Sequence, residues 1–327
     1  MSSASANPAP PNRLLPRFAW FVVFYNVLVI VWGALVRASG SGAGCGNHWP
    51  LCNGQVIPVS PGFHTVIEFT HRMMVGGSAF LILALLVCIF RSTLKGQAAR
   101  ALAVVSSLLL LNEALLGALL VKLGYVTGNQ SSGRIVLLSI HLGNTLLLMA
   151  ALTLTAHFLS THQRWADLPL TRRFVGVMEG LVTTIFVGIT GSIAALGDTL
   201  FPAASLQASF TQDFAAGSPW LLRLRIVHPA LALVAALFAF WLAAQSRRTV
   251  PGQMPAQHAG RERLANLLLI LLGLQFALGI TDVVLLAPAW MQLLHLLVAD
   301  LFWIALVLVA AETLWPAAIP AAAAHSV

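Results

Sequence analysis

Four histidines stand inside long apolar stretches of this sequence: His71, His141, His228 and His295. Each lies about two helical turns or less from the end of its stretch that faces one common side. A lone histidine in such a place is commonly an interhelical hydrogen-bonder. Four at one depth, on alternate stretches, point to a shared task. Imidazoles projecting from facing helices are the usual ligands of haem iron, and ionisable groups within a bilayer mark functional sites. Two pairs imply two haem sites.

The surroundings of the pairs differ. In Glu68-Phe69-Thr70-His71 the carboxyl group shares a helical face with the imidazole, three positions away, whereas the matching stretch reads Arg225-Ile226-Val227-His228. This asymmetry suggests one site for chemistry and one for electrons. Haem propionates are anionic, and the cations placed to neutralise them are Arg72 beside His71, Arg134 seven residues before His141, and Arg223 and Arg225 just before His228. Snorkelling to lipid headgroups is the competing explanation for each arginine alone. Glu113, Asp282 and Asp300 read either as contacts to polar haem edges or as helix-bridging groups and are left unassigned. Asp300 follows His295 by five residues, about 140° round a helix, and so is off its face.

Cys45 and Cys52 lie in the stretch GCGNHWPLC between the first two apolar runs, where Gly44, Gly46 and Pro50 supply turn geometry. A bridge between them is either a loop staple or a redox-active pair, and spacing does not choose. Cys88, inside the second run, reads as an inert packed thiol.

Holding four imidazoles at one depth requires membrane spans. Of the 327 residues 58% are apolar and only 9% charged, the composition of a polytopic all-α membrane protein. Runs long enough for a hydrocarbon core of roughly 30 Å occur at Phe18 to Val36, Thr65 to Phe90, Ala101 to Val121, Ile135 to Leu159, Phe174 to Leu196, Leu222 to Ala244, Leu264 to Ala287 and Trp290 to Leu314. Eight spans put both ends on one side. The first is too long for a signal peptide and lacks a cleavage site, so it is read as retained. The net charge of +8 is distributed topogenically: twelve of the eighteen Lys and Arg, from Arg13 and Arg17 to Arg261 and Arg263, fall on alternate loops. That pattern excludes nucleic acid as the partner and places both termini in the cytoplasm. The cysteine loop then faces an oxidising compartment, where disulfides persist.

The spacing also indicates duplication. His71 to His141 is 70 residues and His228 to His295 is 67, while corresponding members lie 157 and 154 apart. NEALLGALL resembles LQFALGITD, aligning Gly117 with Gly279 and Glu113 with Gln275; GALVRASGSG resembles GITGSIAALG, aligning Gly33 with Gly188. The expected organisation is a disordered tail (1–17), a four-helix half (18–162), a basic linker (163–173), a second four-helix half (174–315) and a C-terminal tail (316–327). The fold class is eight transmembrane helices as two pseudo-repeated four-helix bundles.

WGALVRASGSGAGCGNHWPLCNGQVIP, followed by IEFTHRMMVG, resembles the haem A synthase family of bacterial inner-membrane proteins that serve terminal-oxidase biogenesis. The resemblance implies that His228 and His295 bind a haem b cofactor. It implies that the first half, with His71, His141 and Glu68, handles the substrate haem O, and that Cys45 and Cys52 form a disulfide needed for function. Some members carry a second cysteine pair in the later outer loop; this chain does not. The implied reaction oxidises a methyl group of haem O to the formyl group of haem A, by successive hydroxylations and loss of water from a geminal diol. No side chain breaks such a C–H bond unaided, so an activated metal–oxygen species or stepwise electron removal is required. Glu68 is expected to move protons or to help dehydrate the diol. Haem O synthase is the implied substrate donor and terminal-oxidase assembly factors the implied partners, within the lipid bilayer; a homo-oligomer is compatible with the sequence. Two rival readings are a dihaem b-type electron carrier, which leaves Glu68 and the cysteine loop unemployed, and a quinone-linked thiol oxidant, which wants a second reactive cysteine pair.

Overall fold

The computed structural model describes residues 14–161, 172–249 and 254–315. Its helices are α1 (Leu14–Ala38), α2 (Phe63–Ser92), α3 (Ala98–Lys122), α4 (Ser132–Thr161), α5 (Arg172–Leu200), α6 (Leu206–Phe214), α7 (Trp220–Arg223), α8 (Val227–Ser246), α9 (Pro255–Val284) and α10 (Ala289–Leu314). Residues 1–13, 163–171 and 316–327 of the expected tails and linker lie outside the described residues. Leu14 to Arg17, expected in the tail, begin α1, and Arg172 and Arg173, expected in the linker, begin α5. Lipid offers backbone groups no partner, so helices run on until the chain has left the hydrocarbon.

Eight helical spans are long and apolar enough to cross a membrane, and no strand is formed among the described residues. The sixth is broken. Pro229 has no N–H to give to the Arg225 carbonyl, and its ring crowds that carbonyl. The chain tightens into a 3₁₀ turn at Leu224–Ile226 between α7 and α8, immediately before His228. Helix α6 arises in a segment expected to be loop. Ser205 caps it by accepting from the Ala208 N–H at 3.1 Å, and Leu206, Phe210 and Phe214 recur at helical spacing.

Helix α1 packs on α2 and α4, and α3 joins α2 to α4; likewise α5 packs on α8 and α10, and α9 joins α8 to α10. Two four-helix rings result, and they meet where α1 and α4 touch α5 and α10. The seam is the best-covered part of the molecule: half of the apolar window of α10 is buried (50%) against 11% for the peripheral α9. Polar groups fasten the helices at chosen points. Asn26 accepts from Ser78 at 2.7 Å between α1 and α2, Asn112 donates to Asn144 at 2.8 Å between α3 and α4, and the Trp303 indole donates to the Leu146 carbonyl at 2.8 Å across the seam. Bonds of this kind are worth about 0.6–2 kcal/mol each in lipid. Cys88, expected to be packed, is exposed on the outside of α2.

Arg37, at the end of α1, is the polar anchor of the seam. Its guanidinium donates to the Ala195 carbonyl (2.8 Å) and Thr199 Oγ1 (2.9 Å) of α5 and to Gln292 Oε1 (2.9 Å) of α10. Arg37→Ala is expected to destabilise the protein by about 1.5–3 kcal/mol, the range for hydrogen bonds to a charged group, read as a lowered thermal unfolding midpoint in detergent. Arg37→Lys, with one point donor in place of a fork, should recover only part of the loss.

Candidate functional site

Each of the four histidines leans on a helix that lacks a Cβ at the point of contact. A Cβ built at Gly33 of α1 would lie 3.0 Å from the His71 ring, one at Gly191 of α5 would lie 2.9 Å from His228, one at Gly279 of α9 would lie 3.2 Å from His295, and Gly117 of α3 faces His141 at 4.0 Å. At the first three positions an alanine would press on the imidazole. The glycine on His228 is Gly191, whereas Gly188, aligned with Gly33 from the sequence, faces Leu146. The sequence alignment of α1 with α5 was therefore three residues short.

The missing Cβ has a chemical consequence at His228. The ring reaches past Gly191 to the Val187 carbonyl one turn earlier, with Nδ1 at 3.0 Å. A carbonyl only accepts, so Nδ1 carries the proton and Nε2 keeps its lone pair for a metal. The His228 and His295 rings stand 6.4 Å apart and nearly perpendicular. His228 and His295 are the residues that would hold a metal here. Gln275 lies 3.4 Å from His295 Nε2.

In the other ring of helices α2 carries His71 and α4 carries His141. The carboxyl of Glu113, left unassigned from the sequence, comes within 3.5 Å of His141 Nδ1. Its two oxygens are held by the Asn144 amide and the Thr145 hydroxyl. The alignment of Glu113 with Gln275 was the signal: both positions meet the ring of the second histidine of a pair.

Glu68 is buried, 4% exposed, and engaged at both oxygens. Oε2 accepts the Cys45 N–H at 2.8 Å, and Oε1 accepts from Arg72 at 2.6 Å. Arg72 continues across the loop to the carbonyls of His48 (2.8 Å) and Leu51 (2.7 Å). Cys45 and Cys52 are bridged, with Cα atoms 4.4 Å apart, and both are buried. The disulfide loop is thus clamped to α2 one turn from His71.

The other arginines are less alike than their sequence positions suggested. Arg225 pairs with Asp198 and Asp213, each at 2.6 Å, so its charge is already answered twice. Arg223 is exposed and donates to the Ala216 carbonyl at 2.9 Å. Arg134 is buried, and its guanidinium gives one hydrogen bond, to the Asn129 carbonyl at 2.8 Å.

Haem suits this arrangement. The Nδ1 atoms of His71, His141 and His295 are buried with no hydrogen-bond partner, and at His228, where Nδ1 is bonded to a carbonyl, Nε2 is the nitrogen left for a metal. Among the described residues no group of three or more His, Cys, Asp or Glu gathers as a metal site. Two imidazoles from facing helices match a metal whose other ligands belong to a macrocycle.

Known proteins resemble the chain along its length. A protoheme IX farnesyltransferase of Thermus thermophilus is 41% identical over 313 residues, covering 93% of this chain but 49% of that protein, so the chain spans about half the length of that relative. A heme A synthase of Bacillus pumilus is 31% identical over 247 residues, covering 70% of this chain and 72% of the relative, and one of Shouchella clausii is 39% identical over 128 residues, covering 39% of this chain and 40% of the relative. The match to a family model runs over residues 16–307, through all four glycine–histidine contacts and the disulfide clamp, and it makes this chain a member of the COX15-CtaA family of cytochrome oxidase assembly proteins.

Proposed function

We propose that the chain is a haem A synthase, an oxidoreductase that converts the methyl group of haem O to the formyl group of haem A for terminal-oxidase assembly. The observation that carries this reading is the first-half site. There a histidine pair is joined, within one turn, to a buried carboxylate that fastens a disulfide loop. The second half has the histidines without that apparatus. A dihaem electron carrier has no use for the difference.

In this reading His71 and His141 hold the iron of the substrate, haem O. His228 and His295 hold a resident haem b, which when bound supplies one-electron transfer. The chain's own groups prepare each place. The Val187 carbonyl sets the His228 tautomer, and Arg134, with guanidinium donors to spare, is the best-placed partner for a propionate. Arg72, Arg223 and Arg225 serve the loops first. Glu68 keeps lone pairs on both oxygens beyond the bonds it accepts. It can take a proton from one hydroxyl of the geminal diol and return it to the other, which leaves as water while the aldehyde forms. The buried disulfide acts as a staple that keeps the loop over the substrate and the carboxylate in register.

We place the protein in the bacterial inner membrane with both ends in the cytoplasm, supported by the basic residues on alternate loops. The substrate is received from haem O synthase. Support comes from the Thermus relative named for protohaem farnesylation, in which a segment like this chain makes up about half the protein. The internal duplication is supported by the paired contacts of Glu113 with His141 and Gln275 with His295.

Expression in a host that makes haem O but no haem A tests the activity directly. Haem A should appear on extraction and mass-detected chromatography, and should vanish with His71→Ala. Haem O recovered unchanged with oxygen and reductant supplied would favour the electron carrier. Gly191→Ala should weaken resident haem binding by about 10–100-fold, the usual effect of disturbing the partner of a metal-bound histidine, seen as lowered haem b per protein. Glu68→Gln loses the charge of the clamp, so Cys45–Cys52 should be reduced at lower thiol concentration, measured by maleimide labelling; an unchanged reduction curve would remove the clamp from the account.

A further inference from the structure

We infer that Glu113 is a positioning residue for His141, and that its carboxylate gives the first-half haem an anionic partner which the second-half haem lacks. The inference rests on the reading of His71 and His141 as a haem site. Its basis is the set of groups that meet the four rings. His228 Nδ1 has a backbone carbonyl, and His295 Nδ1 has no hydrogen-bond partner, Gln275 lying instead 3.4 Å from its Nε2. Nδ1 of His71 has no hydrogen-bond partner. Only His141 faces a carboxylate, at 3.5 Å from Nδ1, and that nitrogen has no other acceptor among the described residues.

The carboxyl is fixed from behind. Asn144 bonds Oε2 and Thr145 bonds Oε1, while Asn144 also takes the Asn112 amide and donates to the Leu109 carbonyl. Thr145 lies one turn after His141, so the helix that carries the imidazole also carries the group that aims its partner. A small rotation of the ring closes the Nδ1–H hydrogen bond and turns Nε2 toward the space between His71 and His141. A carboxylate on a ligand's outer N–H fixes its tautomer and makes it a stronger donor. A stronger imidazole donor favours the ferric state of the iron it holds. No carboxylate meets Nδ1 of either second-half histidine, which leaves that haem easier to reduce. The two haems are thereby separated in potential by the Glu113 carboxylate.

The test is a redox titration, with ferric electron paramagnetic resonance spectra, of the purified full-length protein loaded with haem. His141→Ala first identifies the spectrum of the first-half haem. If His141→Ala leaves haem content and spectra unchanged, the site reading itself falls before Glu113 is in question. With E113Q, an isostere without charge, the midpoint of that haem should rise and its g-values shift, while the other haem stays put. E113D should hold the midpoint nearer the parent value. T145V, which frees the carboxyl without removing it, should move the midpoint in the same direction as E113Q by a smaller amount, and decides the matter if E113Q fails to fold. Unmoved potentials in a fully loaded E113Q or T145V protein would overturn the inference.

Discussion

The architecture depends on bringing an imidazole against a neighbouring helix where hydrocarbon surrounds both. One partner within reach of a ring nitrogen in that setting is a carbonyl of the neighbouring helix, already engaged in its own ladder. Removing a Cβ solves the problem of reach. At Gly191 the His228 ring comes close enough to share the Val187 carbonyl with the helix that owns it. Gly33 and Gly279 let His71 and His295 approach in the same way. The glycines lie on α1, α3, α5 and α9 and the histidines on α2, α4, α8 and α10. The helix order follows from this pairing, because each histidine-bearing span must pack beside a span that yields room for it.

The rings so assembled are then locked at their seam. Arg37 of α1 reaches α5 and α10 together, and Trp303 of α10 bonds the Leu146 carbonyl of α4. Of these, α1, α4 and α10 are the most deeply buried spans, whereas α9, which carries Gly279 and Gln275, is the least covered. Rigidity is thus concentrated between the two sites and declines outward. The distance between the two histidine pairs is thereby held by the seam.

Much of this was legible in the sequence, for physical reasons. Hydropathy reveals spans because lipid permits so few ways to satisfy a backbone, and the depth of four histidines shows at once because rise per residue is fixed. What the sequence hid were contacts made by long or unspecific reach. Arg72 and Arg225 sit beside histidines in the text, yet their guanidinium groups extend to Glu68 and loop carbonyls in one case and to two aspartates in the other. Gly191 escaped because glycine is common in these helices and a three-residue shift still gives a readable alignment. Glu113 was seen but not assigned, since a carboxyl in a span has many structural uses. The break at Leu224–Ile226 was written in Pro229, whose effect falls on the turn before it. Helix α6 was written in Leu206, Phe210 and Phe214, overlooked because the segment was too short and polar to be a span.

The two halves also place opposite charges at the same station. One turn before the first histidine stands Glu68, with its cation supplied by the next turn of the same helix. One turn before the third stands Arg225, with its anions supplied by α5 and α6. The first cluster is one acid and one base; in the second, one base is shared by two acids. Arg225, already paired with two carboxylates, has little left to offer a further anion. At the first rim the carboxylate is neutralised, and Arg134 lies buried on the histidine-bearing α4 with donors left over. In the function proposed above, the rim that would admit and release an anionic substrate is the neutral one, and the rim cross-linked by ion pairs would belong to the pocket of the resident group.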